Sequence, residues 1–267
     1  MSSIPVLMYH HVSPIGGDMV TVTPDVFEGQ LRHIKEAGYA ALSLDEAVDF
    51  ATGKFEMKGK GIAITFDDGY LDNYLYAYPA LKSHGIKAAV FIVTDWVERA
   101  SAQEEAEKAE IESFLKKPPT HGESKALIDR GEHGKAIMNW RMIGEMKDSG
   151  LVNFYSHTVT HRSSDQIHGE ELKREIAASK AAIEGRLGGP CDYLCWPKGR
   201  YTGEGIEAAK AALYRALFTT KPGVVRKGDD PFELKRIVVK DSVDWFKRRL
   251  KIYTSPVLSQ LYLSIKD

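Results

Sequence analysis

The stretch Ile62-Ala-Ile-Thr-Phe-Asp-Asp-Gly69 decides how the chain is read. An apolar run of strand length ends in two adjacent carboxylates and a glycine. Neighbouring side chains on a strand point to opposite faces, so Asp67 and Asp68 are free to take different tasks. One can hold a metal while the other takes a proton from water. Gly69 permits a turn sharp enough to leave both carboxylates at the strand's end. Taken alone, Asp-Asp-Gly is equally a turn that closes a strand.

Working outward, apolar runs alternate with helical patterns along the whole chain. Strands are expected at 5–9, 40–42, 61–66, 88–93, 152–155, 193–196, 216–219 and 234–239. Amphipathic helices are expected at 23–37, 71–84, 140–149, 170–187 and 203–213. Thr23-Pro24-Asp25 is a capping residue followed by proline at the first helical position, and Gly85, Gly150 and Gly188 are stop signals. This alternation predicts an α/β fold with a parallel sheet, either a barrel or a wound sheet. The strand ends that carry titratable groups then share one face. Residues 98–135, highly charged and carrying Pro118-Pro119, break the pattern and read as a helical insertion or lid, or as a solvated excursion.

A second run of chemistry, Ser156-His-Thr-Val-Thr-His161, follows the expected strand at 152–155. Histidines four apart can meet on one face of a helical turn and chelate a metal. No glutamate follows the first histidine, so the zinc-protease pattern HExxH is absent. With a carboxylate from another strand end, two imidazoles leave coordination positions open. The first strand ends in a third set, Tyr9-His10-His11, and histidine is the side chain best suited to giving a proton near neutral pH.

The bulk figures set limits. At 267 residues, 43% hydrophobic and 27% charged, with a formal charge of −1, the composition is that of an ordinary soluble globular protein. It supplies no electrostatic pull toward nucleic acid. The first residues lack a basic segment followed by an apolar one, which gives a cytoplasmic expectation, a leader ahead of residue 1 being left open. Cys191 and Cys195, four apart on a strand, would sit roughly 13 Å from each other and read as two reduced thiols.

Thr65-Phe-Asp-Asp-Gly69 and His157-Thr-Val-Thr-His161 resemble the first two motifs of the polysaccharide deacetylases with a NodB-type domain, carbohydrate esterase family four. The resemblance runs from Pro5 to about Leu250. It implies a distorted (β/α)7-type barrel in a single domain over 1–267 and a divalent metal, commonly zinc, with Asp68, His157 and His161 as ligands and Asp67 as general base. Val6-Leu-Met-Tyr-His-His11 resembles the branch containing the poly-N-acetylglucosamine deacetylases, in which the general acid lies near the N-terminus; His10 is the acid on that match. The family's third motif, Arg-x-Pro-Tyr-Gly, corresponds to Cys195-Trp196-Pro197-Lys198-Gly199, with the Lys198 N–H as an oxyanion donor. Cys195 stands where the family has an arginine that orients the base. Asp241-Ser-Val-Asp-Trp245 resembles the fourth motif, whose aspartate pairs with that arginine, and Arg236 is a candidate replacement.

The expected activity is removal of an N-acyl group, acetyl first, from an amino sugar in a glycan or glycan precursor. Three other readings stay open. The same two-His-one-carboxylate set serves Fe(II) oxygenases. A sugar-binding homologue with decayed catalysis would account for Cys195. An acyl group other than acetyl would fit the same site. The expected partner is an N-acylated sugar or glycan. The tail at 246–267, with Lys247, Arg248, Arg249 and Lys251, reads as a helix packed on the barrel, with contact to an anionic membrane the lesser alternative.

Overall fold

Ser3–Ile4 (β1), Val6–Tyr9 (β2), His11–Val12 (β3) and Thr21–Val22 (β4) open the chain, followed by Tyr39–Leu42 (β5) and Lys60–Asp68 (β6). Then come Ala88–Ile92 (β7), Val152–Ser156 (β8), Tyr193–Cys195 (β9), Ala216–Pro222 (β10), Val225–Arg226 (β11) and Leu234–Val238 (β12). The computed structural model describes residues 2–103, 107–255 and Leu258. Seven strands, in the order β2-β12-β10-β9-β8-β7-β6, close into a ring through β2–β6 pairing. Every pairing in that ring is parallel. Strand β5 adds to the first half of β6, from Lys60 to Ala63. The predicted barrel is the architecture observed. Parallel strands are covered on both faces; accordingly, all of β6 except Lys60 is buried.

Side-chain parity sorts the barrel. Phe66 of β6 and Tyr9 of β2 stack at 5.3 Å and meet Phe27 of the helix at Pro24–Glu36 (α1), so that face is the outer layer. One position along, Thr65 and Asp67 face inward, where Arg236 of β12 reaches them. Below Arg236 lies an aromatic cluster from four successive strands. Phe91 packs on Phe218 and Tyr155, and Tyr193 closes on both Tyr155 and Phe218. Both cysteines are buried as free thiols.

The helix at Leu44–Ala51 (α2) was not in the sequence expectation, although Ser43 and Glu46 form the reciprocal capping box that starts it. The helix expected at 71–84 instead carries a π-helical segment, Asn73–Ala77, before Tyr78–His84 (α3). Pro79 explains it: proline offers no N–H to the preceding turn and its ring crowds the carbonyl four residues back, so a wider turn forms. Between β7 and β8 the chain forms Thr94–Ser101 (α4), Glu107–Lys116 (α5), His121–Asp129 (α6) and Trp140–Asp148 (α7). Thr120 and Glu123 make a second capping box that begins α6. Gly169–Leu187 (α8) and Gly203–Ala211 (α9) follow β8 and β9. Val243–Thr254 (α10) buries Phe246, Leu250 and Tyr253 against the body of the protein, with Phe246 meeting His33 of α1. The rest of the expected tail, apart from Ser255 and Leu258, lies outside the described residues. Among the described residues no helix is long and apolar enough to cross a membrane.

Candidate active site

Asp67 is the penultimate residue of β6 and points into the barrel. Arg236 holds it through two parallel bonds, Nη1 to Oδ1 and Nη2 to Oδ2, each 2.7 Å. Arg236 is itself fully buried. Its Nε donates to the Thr219 carbonyl, Nη1 also donates to Thr65 Oγ1, and Nη2 lies 2.8 Å from Cys195 Sγ. Burial alone would push the Asp67 carboxyl up, but the Arg236 charge outweighs it and holds the group below the ordinary carboxylate range. Asp67 is therefore ionised and fixed in direction. The arginine missing at Cys195 is supplied from β12.

The backbone turns left-handed at Asp68 (φ 75°) and Gly69 (φ 81°), which carries the Asp68 carboxylate away from the Asp67 direction. Asp68 Oδ1 lies 3.3 Å from Nε2 of His157 and 3.2 Å from Nε2 of His161. Thr158 and His161 also adopt positive φ, so backbone strain collects at this one place. His157 Nδ1 is 2.8 Å from the Cys195 carbonyl and donates to it, which leaves Nε2 as the lone-pair nitrogen. Asp68 Oδ1 is buried yet receives no hydrogen bond of acceptable geometry from either ring. One oxygen and two imidazole nitrogens, all within 4.8 Å of one another, fit a divalent cation. Asp67, His157 and Cys195 are also close together. Arg236 already engages both Asp67 oxygens and the Cys195 sulfur, and its positive charge disfavours a cation at that trio.

These groups floor a cavity of about 470 Å³. His10 lines it, with Nε2 4.0 Å from Asp67 Oδ2. Burial lowers the His10 pKa more than the nearby carboxylates raise it. Trp196 and Lys198 line the cavity beside Thr220; Pro197 is buried between them in the sequence. Lys198 has a left-handed backbone (φ 58°) and so does Gly199 (φ 66°), which packs on Thr220 too closely to carry a side chain. Asp241 and Trp245 are not brought to the cavity. Asp241 Oδ1 instead accepts from the Thr23 N–H and hydroxyl at the start of α1. Trp245 lies in α10 beneath Arg249. The resemblance paired Asp241 with an arginine; here Arg236 goes to Asp67.

Five contributors escaped the sequence reading. Glu175, on the buried face of α8, accepts from the N–H groups of Val159 and Thr160 and from the Thr160 hydroxyl, and so shapes the loop between the two histidines. Its place on the apolar face of an amphipathic helix was the available signal. Trp96 of α4 packs on His161, with ring centroids 5.1 Å apart. His121, Lys125 and Asp129 of α6 line the cavity from the insertion; no motif marks them.

A parallel barrel with an arginine-held carboxylate beside an Asp–His–His cluster at its strand ends defines a hydrolase of the NodB type. The polysaccharide deacetylase family model matches residues 54–217. The chain belongs to the polysaccharide deacetylase family and is a carbohydrate deacetylase. It is 27% identical to YxkH of Bacillus subtilis (strain 168), a protein assigned to the polysaccharide deacetylases, over 89% of this chain and 72% of that protein. It is 24% identical to the poly-beta-1,6-N-acetyl-D-glucosamine N-deacetylase of Escherichia coli (strain K12), over 82% of this chain but 34% of that longer protein. Among solved structures, the deacetylase PplD of Streptococcus pyogenes, in complex with acetate, superposes with a TM-score of 0.75 at 25% identity, covering 95% of this chain and 99% of that one. IcaB from Ammonifex degensii shares the fold, with a TM-score of 0.73 at 22% identity over 96% and 98% of the two chains.

Proposed function

We propose that the protein removes the N-acetyl group from N-acetylglucosamine residues of a glycan, with zinc held by Asp68, His157 and His161. The observation that carries this reading is the pairing of an ionised, arginine-held Asp67 with the Asp68–His157–His161 cluster on one cavity floor. A divalent ion bound there supplies Lewis acidity and lowers the pKa of water from 15.7 toward about 7. Asp67 takes the proton of the attacking water, its two oxygens held in place by Arg236. The Lys198 N–H donates to the oxyanion that develops on the acyl carbon. His10, whose Nε2 lies 4.0 Å from Asp67 Oδ2, gives a proton in its protonated form to the departing sugar nitrogen. The choice of sugar rests on the substrate in the name of the Escherichia coli relative. The reading of a decayed sugar-binding protein loses its support, because Arg236 furnishes the guanidinium that Cys195 cannot.

The test is acetate release by metal-loaded protein from N-acetylated monosaccharides, N-acetylglucosamine oligomers and lipid-linked precursors, run with zinc, cobalt, nickel and manganese. Turnover of the oligomers with zinc under anaerobic conditions is expected, which also separates hydrolysis from Fe(II) and O₂ chemistry. Binding without acetate release under every metal overturns the reading.

A further inference from the structure

Helix α6 presents His121, Lys125 and Asp129 at four-residue intervals along one face, and that face lines the cavity. His121 is the anchored member. Its Nδ1 lies 3.1 Å from Nε2 of His11, whose Nδ1 lies 2.6 Å from Asp72 Oδ2. His11 and Asp72 are both buried, and His11 stacks on Tyr70 at 3.8 Å. The other Asp72 oxygen accepts from Asn73 Nδ2, which also donates to the His10 carbonyl. A single hydrogen-bonded array thus joins the insertion helix to the strand end that bears His10.

The array favours one placement of the proton on His121. Asp72 accepts, so the proton on His11 Nδ1 is assigned. Burial alone would lower the His11 pKa, but the Asp72 charge and hydrogen bond raise it above the ordinary value, which favours the cationic form of His11. Its Nε2–H then donates to His121 Nδ1. His121 is neutral, pushed down to about 4 by burial and by the neighbouring His11 charge. Its own proton sits on Nε2, which has no hydrogen-bond partner among the described residues. The rings of His11 and Tyr70 meet that of His121 at 77°, which holds its plane. Docking α6 uses one nitrogen; the other is left as an aimed donor.

We propose that His121 is a substrate-positioning residue of this deacetylase, donating its Nε2–H to a hydroxyl or carbonyl oxygen of the bound glycan. The proposal deepens the deacetylase reading and rests on it. Lys125, one turn further along α6, adds a second donor to the same wall, so the insertion recognises acceptor oxygens of the sugar.

The test is steady-state acetate release from N-acetylglucosamine oligomers by the zinc-loaded wild type and by His121→Ala, His121→Asn and His121→Gln. Asparagine keeps an amide at the place of Nδ1 and so keeps α6 docked without reaching the sugar, which carries the test where the alanine variant unfolds. Glutamine extends an amide N–H about as far as Nε2. Loss of one such hydrogen bond raises KM roughly five- to tenfold in the alanine and asparagine variants, with kcat within about twofold. The glutamine variant recovers most of that loss. An unchanged KM in His121→Asn, or an equal loss of kcat in all three, overturns the role of His121 while leaving the deacetylase reading intact. Absence of acetate release by the wild type itself overturns both.

Discussion

Arg236 of β12 grips both oxygens of Asp67 of β6 at 2.7 Å, and both residues are buried. The pairing joins two strands, since only β2 lies between them in the ring. It gives Asp67 a fixed direction and an ionised state in surroundings that would otherwise protonate it. Breaking a buried pair by removing one partner costs about 3–5 kcal/mol, because the other charge is left uncompensated. Arg236→Met is therefore expected to lower unfolding free energy by about that amount and to abolish acetate release. Cys195→Ala, which leaves the guanidinium on Asp67, should cost about 1 kcal/mol and keep turnover within a few-fold. Urea unfolding and acetate release measure both; wild-type turnover in Arg236→Met would refute the support role.

Metal retention and turnover should separate at the adjacent carboxylates. Asp68→Ala and His157→Ala are expected to lose bound zinc and activity together. Asp67→Asn should hold zinc at the wild-type stoichiometry and lose at least about a hundredfold in kcat, the low end of what a positioned general base contributes. Elemental analysis after dialysis, beside kcat, gives the answer. Near-normal deacetylation by Asp67→Asn would remove Asp67 as the base.

The buried His11–Asp72 pair should leave a mark on stability against pH. The folded-state pKa of His11 is raised, so the folded protein binds its proton more tightly than the unfolded chain does. That contribution is complete below the unfolded value of about 6.5 and fades as pH rises through the higher folded value. The gap in unfolding free energy between wild type and His11→Gln is expected to be largest near about pH 5.5 and to shrink toward about pH 9. Denaturant titrations across that range test it, and a gap that widens with pH would contradict the pairing.

At Gly199 the backbone requires φ 66°, and a Cβ there would stand 1.9 Å from Thr220 Oγ1. Gly199→Ala combines left-handed strain of about 1–2 kcal/mol with overpacking of about 1–3 kcal/mol. Because Lys198 precedes it on the cavity wall, the substitution should lower kcat as well as Tm, with zinc content unchanged. Unaltered Tm would show that the Thr220 side chain moves aside freely.

The sequence was informative where chemistry and periodicity coincide. The apolar run into Asp67-Asp68-Gly69 located the end of β6, and the His157/His161 spacing marked the partner loop, since strand ends and chelating spacings are local properties. The seven barrel strands were each visible as apolar runs, because a strand covered on both faces is predominantly apolar. Local signals were also missed: Ser43 with Glu46 announced α2, and Pro79 inside a helical pattern announced the π-helical turn.

By itself, then, the sequence determined an alternating α/β fold and the residues at its strand ends, which follow from short-range pattern, and its motifs carried the resemblance that implied the barrel and the family. Only the tertiary structure decided who their partners are. Arg236 is 169 residues from Asp67 along the chain, and His121 is 110 from His11. Closing the ring of strands brings Arg236 to Asp67 and leaves Asp241 at the start of α1. The packing of α6 brings His121, Lys125 and Asp129 to the cavity. No local pattern encodes such meetings, because a hydrogen bond across a barrel depends on where two distant backbones end up and which way their side chains face.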